Sequence, residues 1–205
     1  MSHNTLIHRG VRLLVRPLVA TSITPNQITT LRLAAGLGTA VALAVGAAPW
    51  WNIGAGLFVL SAILDRADGE LARLSGRTSP GGHVYDLVAD ALSNALVFVG
   101  LGIGLRDSAL DLWAIPMGIA AGGAIAVILW AVMGIEAREG RRAAELQGGG
   151  GFDPDDAILA VPVFIWLGAM QELLIAAAIG APAFAIYFLI RFRRKLSDTA
   201  GSRRD

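Results

Sequence analysis

The chain alternates between long apolar stretches and short polar or basic ones. Apolar runs fall at 28–47, 50–73, 83–104, 110–134, 156–170 and 172–192. A helix needs roughly 20 apolar residues to cross a bilayer, so these predict six spans, the fifth of them short. Gln171 and Glu172 offer the polar break that divides the last two runs. The N-terminal segment 4–19 has a different rhythm. Ile7, Val11, Leu14 and Leu18 line one helical face, while Arg9, Arg12 and Arg16 line another. That pattern predicts an amphipathic helix in the headgroup plane, with Leu14 and Leu18 toward lipid and Arg12 and Arg16 toward headgroups. The expected fold is therefore an all-α integral membrane protein with six transmembrane helices and an N-terminal interfacial helix. It divides into a juxtamembrane segment (1–24), a six-helix transmembrane domain (25–195) and a tail (196–205). Gln147 to Gly151 read as a flexible connection. No internal repeat is visible.

Composition supports this reading. Of the 205 residues, 55% are hydrophobic and 16% charged, against about 25% charged in ordinary soluble domains. No cysteine is present, which excludes disulfides, thiolate metal sites and thiol nucleophiles. The basic residues interrupting 1–20 argue for a retained segment and against a cleaved signal. The placement of Lys and Arg fixes the expected orientation. With six spans, all of them except Arg66 and Arg106 fall on the side of the two termini. The positive-inside bias then makes both termini and the 74–81 loop cytoplasmic, in a multi-pass protein of the cell inner membrane.

Charge inside the spans points to chemistry. Asp65, Asp68, Asp86 and Asp90 lie in the second and third spans. Each would cost roughly 2.5–3.5 kcal/mol or more if it faced lipid, so intramembrane acids mark function by default. Asp65 and Asp68 are three apart and share a face with Gly69 and Ala72; Asp86 and Asp90 are four apart, and Gly82 continues their stripe. The short Ser75–Gly81 link, rich in Gly and Pro, forces an antiparallel hairpin. At about 1.5 Å per residue, Asp68 and Asp86 lie roughly 10 and 8 Å from the link, and Asp65 and Asp90 roughly 15 and 14 Å. All four carboxylates then converge at matched depth. Their repulsion is relieved by protonation or by cations. Oxygen-only ligands favour Mg²⁺, Mn²⁺ or Ca²⁺, and four carboxylates suffice for two metals, an arrangement suited to in-line displacement at phosphorus. Small residues on the same faces leave room for a ligand or for close helix packing. Arg73 at the helix end suits phosphate, or merely snorkels to the surface.

These residues resemble the signature of the CDP-alcohol phosphotransferases: D-x-x-D-G-x-x-A-R, eight residues, then G-x-x-x-D-x-x-x-D. Asp65, Asp68, Gly69, Ala72, Arg73, Gly82, Asp86 and Asp90 occupy its eight fixed positions. Pro25, Asn26, Ile28, Thr29 and Arg32 are similar to the family's P-N-x-[IL]-T-x-x-R element. The resemblance implies six spans, a homodimer and a cytoplasm-facing cavity. It implies that Asp65, Asp68 and Asp86 bind two divalent cations, Mg²⁺ or Mn²⁺. Asp90 would touch metal and act as general base on the acceptor hydroxyl. Gly69, Ala72 and Gly82 would border the cytidine pocket, and Asn26, Thr29 and Arg73 would contact the nucleotide or its pyrophosphate. The implied partners are a CDP-alcohol donor, an alcohol acceptor and membrane lipids, with no nucleic acid; a membrane site suits CDP-diacylglycerol as donor, and CDP-choline-type donors stay open.

Other readings of the acids are an intramembrane ion or proton transporter, a calcium-binding loop, and a purely structural cluster. Ion paths spread charge through the membrane depth, whereas these acids share one half. Asp65 to Glu70 lacks the alternating acids of a calcium loop. The segment around Asp86 and Asp90 matches no subfamily pattern cleanly, so the acceptor stays open. If it is anionic, Arg138 and Arg191, which follow the fourth span and end the sixth, are the candidates to bind it; positive-inside anchoring explains the same residues equally simply.

Overall fold

The computed structural model describes residues 11–13, 15–140 and 160–193. The glycine run at 147–151, Leu14, Arg141, Arg142 and the tail beyond Arg193 lie outside the described residues. The helices are α1 (Pro25–Val45), α2 (Ala48–Ser75), α3 (Pro80–Gly104), α4 (Ala114–Glu139), α5 (Ala160–Trp166) and α6 (Met170–Arg191). Among the described residues there is no strand.

Local chemistry sets the boundaries that matter for the site. Thr24 opens α1 with a capping box: its hydroxyl accepts from the Gln27 amide, the Gln27 side chain accepts from the Thr24 amide, and Pro25 takes the first turn, where no amide is needed. α2 stops at Gly76, whose φ of 65° is left-handed and cheap only for glycine. Three residues later Ser79 caps α3 by accepting from the Gly82 amide, again with proline in the first turn. The expected hairpin between the acids is thus built by a glycine stop and a serine start.

α1 packs between α2 and α3, α3 packs on α4, and α4 on α6; α5 lies against α2. The apolar core runs through Leu43, Phe58, Val97, Leu101, Ile165 and Leu174. Where α3 meets its neighbours, glycine brings backbones together. A Cβ on Gly100 would strike the Ala40 carbonyl of α1, and one on Gly104 the Leu43 carbonyl. On the other side, a Cβ on Gly118 would sit 2.5 Å from the Phe98 carbonyl, and one on Gly122 2.6 Å from that of Ala95.

α1, α3, α6 and the stretch Asp111–Glu139 containing α4 are long and apolar enough to cross a membrane. α2 has 28 residues, about 42 Å of helix, but Asp65, Arg66, Asp68, Glu70 and Arg73 crowd its second half. α5 has only seven described residues, and 156–159 lie outside the description, so these helices establish a multi-pass membrane protein without fixing the number of spans at six. Two boundaries differ from expectation. The break before α6 turns on Gly168, at φ 74°, and Gln171 and Glu172 begin α6 instead. α4 continues to Glu139, which puts Arg138 in its last turn.

The N-terminal segment also differs. Residues 4–10 are not described, but 11–13 and 15 are helical and Arg16–Ala20 form a 3-10 turn. Val11 and Val15 are buried, and with Leu18 they pack on Ile28 of α1 and on Ala67 and Leu71 of α2. Of the predicted stripe, Val11 and Leu18 face protein, Ile7 and Leu14 lie outside the described residues, and Leu13, off the stripe, points outward. Arg12 pairs with Glu70 and keeps more than half of its side chain exposed.

Candidate active site

Three helices meet at the acids. Oxygens of Asp65, Asp68 and Asp86 lie within 4.8 Å of one another, joining α2 and α3 as the depth matching requires. Asp68 is buried, and the side chains of Asp65 and Asp86 are 43% and 44% exposed. Asp90 stands apart from the trio. Its Oδ1 accepts from Asn94 at 3.1 Å and lies 3.9 Å from Nη1 of Arg32, through which it joins the cluster.

Arg32 is the residue that sequence reasoning left without a role. It is 2% exposed, the largest of the fully buried side chains. Nη1 donates to Asp65, and Nη2 donates to the Asp86 backbone carbonyl at 2.8 Å and lies 3.1 Å from Asp86 Oδ1. One guanidinium from α1 therefore ties both acid-bearing helices together and supplies positive charge where carboxylates would repel. The signal was present as the last position of the α1 element, but spacing along one helix cannot say which residues of another it meets.

Thr29, expected at the nucleotide, is also buried. Its hydroxyl lies 2.8 Å from Asp68 Oδ2 and 3.1 Å from the Pro25 carbonyl, so it orients the deepest carboxylate. Asn26 is exposed beside Gly82, where an added Cβ would come 3.1 Å from the Asn26 Oδ1. Tyr85 reaches back to α1, its hydroxyl 2.9 Å from that of Thr30. Gly69 and Ala72 sit half-buried on the acid-bearing helix. Arg73 lies over Gly69, its Nη1 3.6 Å from where a Cβ would be, and it donates to Glu70 at 2.8 and 3.2 Å. Across the mouth, His83 Nε2 and Glu136 Oε2 are 2.7 Å apart, joining α3 to α4. Arg138 is in the last turn of α4, and Arg191 ends α6 with its guanidinium 5.9 Å from the Phe192 ring centre. Those two helices supply none of the clustered acids.

The donor set fits a hard divalent cation. All ligands are carboxylate oxygens, they converge from two rigid helices, and Asp86 Oδ1 is buried with no hydrogen bond aligned to it, leaving a lone pair to give. With four carboxylates and one guanidinium, the cluster is one that added positive charge would stabilise.

Comparison with known proteins agrees with the geometry. The family model described as CDP-alcohol phosphatidyltransferase matches residues 22–187. A bifunctional IPC transferase and DIPP synthase from Rubrobacter xylanophilus is 39% identical over 88 residues, 42% of this chain and 19% of that protein. A CDP-diacylglycerol–glycerol-3-phosphate 3-phosphatidyltransferase from Cereibacter sphaeroides is 39% identical over 92 residues, 44% of this chain and 40% of the relative. Human cholinephosphotransferase 1 is 35% identical over 98 residues, 43% of this chain and 24% of its own length. The chain thus spans less than half the length of the curated relatives it matches.

Proposed function

Because the chain belongs to the CDP-alcohol phosphatidyltransferase family, we propose that it transfers a substituted phosphate group from a CDP-alcohol to an acceptor alcohol, with release of CMP, in phospholipid biosynthesis. The convergence of Asp65, Asp68 and Asp86 around Arg32 carries this reading. A membrane-embedded site favours a lipid donor, CDP-diacylglycerol.

Asp65, Asp68 and Asp86, with Asp90 beside them, would hold two divalent cations, Mg²⁺ or Mn²⁺. When bound, these cations neutralise the pyrophosphate and the charge that develops on departing CMP. The protein does the rest. Thr29 and Arg32 fix the ligand carboxylates, so little reorganisation is left for the reaction. Gly69, Ala72 and Gly82 leave room for the cytidine, with Asn26 at its edge and Arg73 toward phosphate. Asp90 is the most exposed of the four acids and accepts the acceptor's hydroxyl proton. The alkoxide-like oxygen forms a bond to the donor's alcohol-bearing phosphorus. The phosphorus–oxygen bond to CMP breaks, and CMP departs with that electron pair. The enzyme works as a homodimer in the inner membrane, its site open to the cytoplasm.

The test is CMP release by the purified full chain with CDP-diacylglycerol and Mn²⁺ against a panel of acceptor alcohols, phosphorylated and not. Release should require metal and vanish in Asp68→Asn, since an amide lacks the charge the cations need. No metal-dependent CMP release with any acceptor, or full activity in Asp68→Asn, would refute the proposal.

A further inference from the structure

Glu70 occupies a position that the signature leaves free, yet it is buried, its side chain only 9% exposed, in a helix that enters the membrane. Two arginines share it. Oε1 accepts from Arg12 Nε at 2.8 Å, and Oε2 accepts from Arg73 Nη2 and Nε at 2.8 and 3.2 Å. Arg73 lies above Gly69, next to the metal-ligand candidate Asp68. Arg12 comes from the N-terminal segment, which Val11 and Val15 fasten to Ala67 and Leu71 on the same helix.

One acid with two cations has a consequence for Arg73. A buried carboxylate left unpaired is expensive, so an arginine that is its only partner cannot leave it. With Arg12 holding the other oxygen, Arg73 can turn one donor pair to a phosphate while Glu70 keeps a counter-ion. We infer that Glu70 and Arg12 form a positioning pair that frees Arg73 for the donor pyrophosphate, and that the N-terminal segment thereby sets affinity for the nucleotide. This rests on the transferase reading above, with Arg73 as a phosphate contact.

The probe is CDP, titrated in the presence of Mn²⁺ onto the detergent-purified full chain. Arg12 is 57% exposed, so Arg12→Gln should fold. It should weaken CDP binding about five- to tenfold, the low end of the range for coupled sites. Arg12→Lys should restore most of the loss. Mn²⁺-induced thermal stabilisation without nucleotide should not change, because Arg12 touches no carboxylate of the metal cluster. In a Glu70→Gln background, Arg12→Gln should have almost no further effect, as double-mutant logic requires for a pair acting through one group. CDP binding equal to wild type in Arg12→Gln would overturn the inference. So would a parallel loss of Mn²⁺ stabilisation, which would reduce Arg12 to a structural tie. Failure of the wild-type chain to bind CDP at all would instead remove the transferase reading, and this inference with it.

Discussion

Arg32→Gln sets two effects of one residue against each other. Arg32 bonds Asp65 and the Asp86 carbonyl, and lies beside Asp86 Oδ1 and Asp90. Breaking a fully buried pair costs roughly 3–5 kcal/mol. Here Asp65 and Asp86 are 43% and 44% exposed, so water takes up part of the loss and about 2 kcal/mol is the better figure. For a chain of this size that lowers Tm by about 4–8 °C. Metal affinity should move the other way. Two unit charges about 5 Å apart interact by about 3 kcal/mol at an effective dielectric of 20, and a divalent cation doubles this. Halving it for exposure, and subtracting about 1 kcal/mol for carboxylates no longer held in place, leaves about 2 kcal/mol in favour of binding. Mn²⁺ should therefore bind more than tenfold tighter to Arg32→Gln. Turnover should fall, because Asp65 and Asp86 lose the donor that orients them. Thermal unfolding across a Mn²⁺ titration reads the first two effects, and CMP release reads the third. A variant whose Tm and Mn²⁺ affinity fall together would refute the electrostatic argument and leave Arg32 as packing.

Asp90→Asn should retain CDP binding in Mn²⁺ and lose turnover by about 10²–10⁴-fold, as expected on removing a general base; comparable turnover would reassign the base. Gly122→Ala should destabilise the protein by roughly 1–3 kcal/mol, because its Cβ would meet the Ala95 carbonyl at 2.6 Å, and an unchanged Tm would mean α3 and α4 are free to separate. With donor saturating, Arg138→Ala or Arg191→Ala should raise the KM of a phosphorylated acceptor without changing donor affinity; unchanged kinetics in both would leave these residues as topology anchors.

The spacing of the acids made the site legible because helix geometry is local: three- and four-residue steps put side chains on one face wherever the helix lies. The short glycine–serine link then returned α3 antiparallel to α2, and with α1 packed between them the acids converge around Arg32. Arg32 and Glu70 were not legible for the opposite reason. Arg32 meets Asp65 and Asp86 across 33 and 54 residues of chain, and Glu70 meets Arg12 across 58. The stripe at the N-terminus could not say what covers Val11 and Leu18. Lipid and the flanks of α1 and α2 are equally apolar, and only packing decides between them. The last break failed similarly, since polarity at Gln171 and Glu172 competes with the left-handed backbone that Gly168 alone accepts.

The glycine seams have a bearing on how the acids keep their spacing. Immediately beyond Asp90, a Cβ on Gly36 would meet Ser93 at 2.5 Å, and from there to Gly104 α1 and α3 run backbone against backbone. The cluster of acids thus ends at a seam where no side chain separates α1 from α3. Backbone contact of this kind leaves little for the two helices to slide on, because any shift brings carbonyl against Cα. Those two helices carry Arg32 on one side and Asp86 and Asp90 on the other, so the seam fixes the distance between guanidinium and carboxylates. A bulkier residue in the seam would therefore spread the acids from their shared arginine without touching either.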